Sequence, residues 1–184
     1  MRHANLLNAP EVGLVVVDLQ EKLVKMVHNR EELLDRCALI LELAKIYDIP
    51  MVLTEHYPQG LGYTVDEIKE HLPAYEPIIK RIFSCCGVED FVAAVKAMGK
   101  RQLVVIGIET HICVSQTVHD LLARDYQMHV IADACGTRFL PDHLIGIEKM
   151  RAAGAVIASA EMAVYEMVER ADTEQFKQVL KLVK

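Results

Sequence analysis

Apolar runs and helical stripes alternate along almost the whole chain. Residues 12–17 form a β-branched apolar run of the kind a strand covered on both faces requires. Leu33, Leu34, Cys37, Leu41 and Ala44 then recur at helical spacing and predict a helix over 30–47, stopped by Asp48-Ile49-Pro50. The next strand is expected at 51–54, a turn-rich loop at 57–62, a short helix at 65–71 and a short strand at 77–80. A helix over 88–98 follows, with Gly99 where a C-cap belongs. The remaining strands are expected at 103–106, 128–131 and 155–157. Helices are expected after residue 113, over 141–153 with Gly154 closing it, and over 161–169 and 173–183.

Repeated β-then-α units predict an α/β three-layer arrangement, a parallel sheet with helices on both faces, in a single domain over 1–184. Ligands of such folds bind beyond the carboxyl ends of the strands. Polar residues that end different strands are therefore the first candidates for chemistry.

Composition narrows the field. At 52% apolar residues the chain has ample material for a core. A net charge of −6 with no long Lys/Arg block argues against nucleic-acid binding. No apolar run reaches membrane-spanning length, and the first residues lack the apolar core of a secretory leader. The five cysteines, odd in number and without a CxxC pair, fit reduced thiols in a cytoplasm-like compartment rather than disulfides or a zinc ribbon.

Three expected strand ends carry usable groups. The first ends in Asp18 and the third in Lys80. The fourth leads through Gly107-Ile108-Glu109-Thr110-His111-Ile112-Cys113-Val114 into an amphipathic helix. Cys113 then sits in a first helical turn, where unpaired N–H groups favour a thiolate and lower the thiol pKa. A carboxylate can take the thiol proton, and an ammonium can hold both anions in place. Taken singly, each residue also has an ordinary reading: a buried structural cysteine, a loop cap and a solvated charge.

The segments Val16-Val17-Asp18-Leu19-Gln20, Lys80-Arg81-Ile82-Phe83-Ser84, residues 107–114 and Asp133-Ala134-Cys135 resemble, in this order, those of isochorismatase-like cysteine hydrolases. Residues 54–62 and the tail around Phe176 resemble the isochorismatase domain-containing branch. The resemblance implies a six-stranded parallel sheet in order 3-2-1-4-5-6, with Asp18, Lys80 and Cys113 as a catalytic triad. It implies a cis Ile108–Glu109 peptide and an oxyanion hole from the Glu109 and Cys113 amides. It further implies a small-molecule substrate with an amide, related C–N or ester bond, no cofactor, and a homo-oligomer (dimer or tetramer).

Several residues remain open between roles. Gln20 orients Asp18 or binds backbone; His111 contacts substrate or caps its helix. His56 and Tyr57 line the mouth or belong to a surface loop; Phe83 walls a pocket or packs in the core. Asp133 is expected to end the fifth strand. Met162, Val164, Tyr165, Met167 and Val168 are candidates for a subunit contact. Nicotinamidases of this superfamily carry an Asp-x-His motif after the second strand; Thr54-Glu55-His56-Tyr57 stands there instead, and no metal is expected. Three other readings compete. Isochorismate-type vinyl-ether hydrolysis needs no thiol, and Cys113 argues against it. The others are a catalytically silent scaffold and a redox sensor with Cys135 as resolving thiol.

Overall fold

In the computed structural model, which describes residues 2–183, each apolar run becomes a strand of one parallel sheet in the order β3-β2-β1-β4-β5-β6. The chain runs through β1 (Val12–Val17), α1 (Glu21–Val24), α2 (Arg30–Ile46) and β2 (Met51–His56). It continues through α3 (Pro58–Leu61), α4 (Asp66–Lys69), β3 (Ile78–Lys80), α5 (Glu89–Ala97) and β4 (Gln102–Ile108). The last third holds α6 (Ser115–Leu122), β5 (Gln127–Gly136), α7 (Leu140–Ala152), β6 (Val156–Ala158), α8 (Ala160–Val168) and α9 (Glu174–Val179).

The pleat divides β1 between two cores. Leu14 and Val16 face a layer built from α2, α8 and α9, whose Leu33, Cys37, Leu41, Val164, Met167 and Val179 are buried. Val15 and Val17 face α5, α6 and α7 through Phe91, Val95, Val118, Leu121, Ile147 and Met150. Both faces of the central strand are thus sealed, which is why it reads as an unbroken apolar run rather than an alternating one.

The strand order decides where chemistry can sit. β1 and β4 are neighbours, with Val17 opposite Gly107, so the chain leaves both strands at the reversal of strand order. Gly107 has φ +130, and a Cβ there would lie 2.0 Å from the Val17 carbonyl oxygen. Only glycine permits this approach of the two backbones.

Three expectations are corrected. β5 is ten residues long, not four; its register against β4 shifts between Val105 and Gly107, and it continues past the irregularity to Gly136. Asp133 therefore lies within β5, not at its end, and its carboxylate accepts the Ala160 N–H at the start of α8, 2.8 Å away. Of the five C-terminal residues proposed for a subunit contact, Val164, Met167 and Val168 are buried in the chain's own core, leaving Met162 and Tyr165 exposed. Among the described residues no helix is long and apolar enough to cross a membrane.

β5 also carries a buried polar group. His129 pairs with Val104 on one side and Val156 on the other, and it is completely buried with neither ring nitrogen hydrogen-bonded. Burial pulls its pKa down to about 4. The unfolded chain protonates a histidine near 6.5. Stability gained from the neutral ring is therefore intact above the unfolded value and is lost as pH falls toward 4. From pH 7 to pH 5, urea unfolding should show wild type losing about 2 kcal/mol more stability than His129→Leu. Equal losses in the two proteins would contradict this.

Candidate active site

Asp18 closes β1 in a left-handed backbone conformation, φ +50, which aspartate tolerates better than most residues. The sharp turn lets its carbonyl accept the Gln20 N–H at 2.7 Å and sends the carboxylate into the space between β1, β2 and β4. There the hydroxyl of Thr54, from β2, donates to Oδ1 at 2.7 Å. The Lys80 ammonium lies 2.6 Å from Oδ2. Lys80 belongs to β3 and pairs with His56 of β2, so only its long stem brings the charge inward.

The Lys80 ammonium is enclosed. It donates to the Phe83 carbonyl at 3.0 Å and the Ile82 carbonyl at 3.4 Å, and reaches Cys113 Sγ at 3.4 Å. Asp18, Lys80 and Cys113 are 0%, 2% and 6% exposed. The three strand-end groups thus meet in one place, screened from water. Burial, the largest single influence, would lower the Lys80 pKa, but the acidic groups around it, Asp18 foremost with Cys85 and Cys113 behind it, together outweigh it and hold the ammonium above the usual lysine value.

Cys113 does not sit in an ordinary first helical turn. Residues 110–114 form a π-helical turn, closed by the Val114 N–H donating to the Glu109 carbonyl at 3.3 Å, and α6 begins only at Ser115. Such wide turns concentrate at functional sites. α7 supports the turn from behind: a Cβ on Gly146 would lie 3.1 Å from His111 Cα. The Ile108–Glu109 peptide that leads into the turn is cis.

The charge state of the thiol is a further correction. The helix-start position was expected to lower the Cys113 pKa. Instead burial, reinforced by the Asp18 charge and only partly offset by Lys80, pushes it up to about 12. The physical reason is a count of charges: one ammonium is shared between a carboxylate and a sulfur in a dry site, and Asp18 holds the closer contact. The resting thiol keeps its proton beside a carboxylate able to receive it. The other four cysteines are buried too, and burial raises each of their pKa values.

A cleft of about 200 Å³ opens onto the sulfur, lined by Leu23, His56, Leu61, Phe83, Glu109, Ile112 and Cys113. His56 stacks on Phe83, with ring centroids 5.5 Å apart. The Glu109 side chain is held away from the reacting groups. Burial alone would raise its pKa, but the Arg138 backbone N–H and guanidinium, each at 3.1 Å, and the Thr137 hydroxyl at 2.9 Å keep it ionised.

Three residues weighed for the pocket are placed elsewhere. Gln20 ties down the loop after β2, donating to the His56 and Gly62 carbonyls and accepting the His56 N–H. Tyr57 is exposed and lies under the Arg81 guanidinium, 5.3 Å from its ring centroid. His111 turns toward Thr137 and Asp142. Leu23, Leu61 and Ile112 line the cleft without having been singled out; they are apolar residues of short helices and turns, with no chemical signature. Thr54, a middling strand residue by sequence, proves to be the donor that fixes Asp18. No group of three or more His, Cys, Asp or Glu side chains among the described residues is arranged to hold a metal ion.

Comparison with known proteins finds matches over most of the chain. The isochorismatase domain model matches residues 12–162. The chain is 37% identical over 172 residues to isochorismatase domain-containing protein 2 of Bos taurus, covering 93% of this chain and 82% of the relative. It is 35% identical to a Caenorhabditis elegans structure described as MAR1 ribonuclease, covering 97% of this chain and 92% of that one, with a TM-score of 0.90. It is 27% identical to Pseudomonas aeruginosa YcaC, solved with hexane-2,5-diol and covalent acrylamide; coverage is 99% and 93%, with a TM-score of 0.91.

Removing the ammonium alone leaves a buried carboxylate unpaired. Lys80→Met should cost about 3–5 kcal/mol in chemical denaturation, and adding Asp18→Asn should restore at least half of it, because the neutral amide needs no counter-charge. Asn also tolerates the left-handed backbone at position 18. A double variant less stable than Lys80→Met would contradict the pairing.

Proposed function

The chain belongs to the isochorismatase family, and from that premise we propose that it is a cysteine hydrolase acting on a small amide, a related carbon–nitrogen bond or an ester. The observation that carries this reading is the buried Lys80 ammonium, 2.6 Å from Asp18 and 3.4 Å from the Cys113 sulfur, onto which a cleft opens.

In the proposed cycle Asp18 takes the proton of the Cys113 thiol as sulfur attacks the substrate carbonyl carbon. As the proton moves to Asp18, negative charge moves to sulfur, and Lys80 keeps one anion beside it throughout. The backbone N–H groups of Glu109 and Cys113 receive the oxyanion. Support for this assignment comes from their place at the start of a helical stretch, where N–H groups lack partners within the helix. Asp18 then gives its proton to the leaving amine or alcohol. A water molecule attacks the thioester, losing a proton to Asp18, and the acid leaves as the thiol is restored.

The C. elegans relative, described as a ribonuclease, makes RNA cleavage the second reading. A polyanion calls for a cationic surface. The net charge of −6 and the largely apolar wall of the cleft support the acyl reading instead. Covalent acrylamide in the Pseudomonas relative supports capture of small electrophiles in this fold. By the same likeness Cys113 should be the residue that captures them here.

The test is a panel of small amides and esters, with RNA oligonucleotides as the second arm, assayed for ammonia, alcohol or fragment release. On any substrate turned over, Cys113→Ala and Asp18→Asn should each lower kcat by at least about a thousandfold. Turnover that survives both substitutions would overturn the proposal, and RNA cleavage with no acyl hydrolysis would establish the second reading.

A further inference from the structure

The cleft that reaches Cys113 is poor in charge, and its few polar side chains are already engaged. Leu23, Leu61, Phe83 and Ile112 supply most of its wall. The Glu109 carboxylate is taken by Thr137 and Arg138. The Lys80 ammonium, with three N–H donors, already faces Asp18, Cys113 and two carbonyl oxygens. Nearby cations are committed as well: Lys22 donates to the Gly60 carbonyl, Arg81 covers Tyr57, and Arg138 pairs with Glu109. Among the described residues no Arg or Lys lines the cleft.

His56 is the exception. Its ring stacks on Phe83, and its Nδ1 is buried without a hydrogen-bond partner. Burial, and then the nearby Lys80 charge, hold its pKa below the ordinary histidine value, so the ring is neutral at neutral pH. The wall thus presents one neutral polar group among apolar ones.

We propose that the cleft selects small uncharged acyl compounds with an apolar substituent, simple aliphatic or aryl amides and esters, and rejects carboxylate-bearing ones, the neutral His56 ring forming part of its wall. A carboxylate entering this cleft would lose its water and meet no free cation, a cost that a neutral amide avoids. The inference rests on the cysteine-hydrolase reading for its chemistry but is read independently of turnover.

The probe pair is iodoacetamide and iodoacetate. In each case the Cys113 sulfur displaces iodide, an S–C bond forms, and the thiol proton leaves through Asp18 to solvent. Labelling of Cys113 is followed by mass spectrometry, and each rate is normalised to the same reagent's rate with glutathione. The neutral reagent should be favoured by about tenfold on this scale, and Leu61→Lys, which supplies a cation at the wall, should pull the ratio toward unity. A normalised ratio at or below unity in wild type would overturn the proposal.

A second measurement needs no reaction and no variant. Ligand-observed NMR with isobutyramide and isobutyrate should show binding of the amide at concentrations where the acid gives no signal; equal or stronger binding of the acid would also overturn the proposal. The two readings fail separately. If the neutral reagent is preferred but no amide or ester is hydrolysed, the hydrolase reading falls and the selectivity stands. If amides turn over while the anionic reagent is preferred, only the selectivity falls.

Discussion

A lysine ammonium sealed between a carboxylate and a sulfur constrains everything else in this molecule. Asp18 and Lys80 come from strands separated by β2 and are almost fully buried, so neither charge can remain in place without the other. Their contact at 2.6 Å needs the left-handed turn at Asp18 and the short β3 paired beyond β2. Cys113 approaches the same ammonium only because Gly107 lets β4 press against β1, so that the π-helical turn starts at the right height. The parallel sheet, with its reversal of strand order at β1 and β4, is the frame that makes these approaches compatible.

Much of this was legible in the chain. Buried parallel strands have to be apolar on both faces, so Val12–Val17 announced itself, as did the stripe of α2. Chemistry at strand ends follows from topology, and Asp18, Lys80 and Cys113 could be picked out by residue type and place. The features without a sequence signature have physical reasons too. β5 continues through an irregularity whose polar Asp133 resembles a strand end, because its carboxylate anchors α8 from within the strand. Gln20 and His111 bear functional-looking groups, yet both are spent on loop backbone or neighbouring side chains. Thr54 carries no spacing signal; only the fold brings its hydroxyl to Asp18.

The thiol shows the limit of position-based reasoning most clearly. A helix start favours an anion through partial charges of its N–H groups. In this site a full carboxylate charge and near-complete burial act on the same sulfur and win, pushing the Cys113 pKa up to about 12. A protonated nucleophile next to its base is then the resting state, and charge separation is confined to the moment of attack. The same dryness that raises the thiol strengthens every electrostatic contact within the site. The apolar wall of the cleft is part of that same surrounding, so that the environment that controls the proton also shapes what can enter.

One titration bears directly on this arrangement. Thiolate absorbance near 240 nm, taken as the difference between wild type and Cys113→Ser, reports the charge on this sulfur alone. Wild type should show no Cys113 thiolate at neutral pH. In Asp18→Asn, where the thiolate becomes the only anion beside Lys80, it should appear at least about two pH units lower than in wild type. A thiolate already present at neutral pH in wild type, or one whose titration ignores Asp18→Asn, would contradict the single shared proton on which the rest is built.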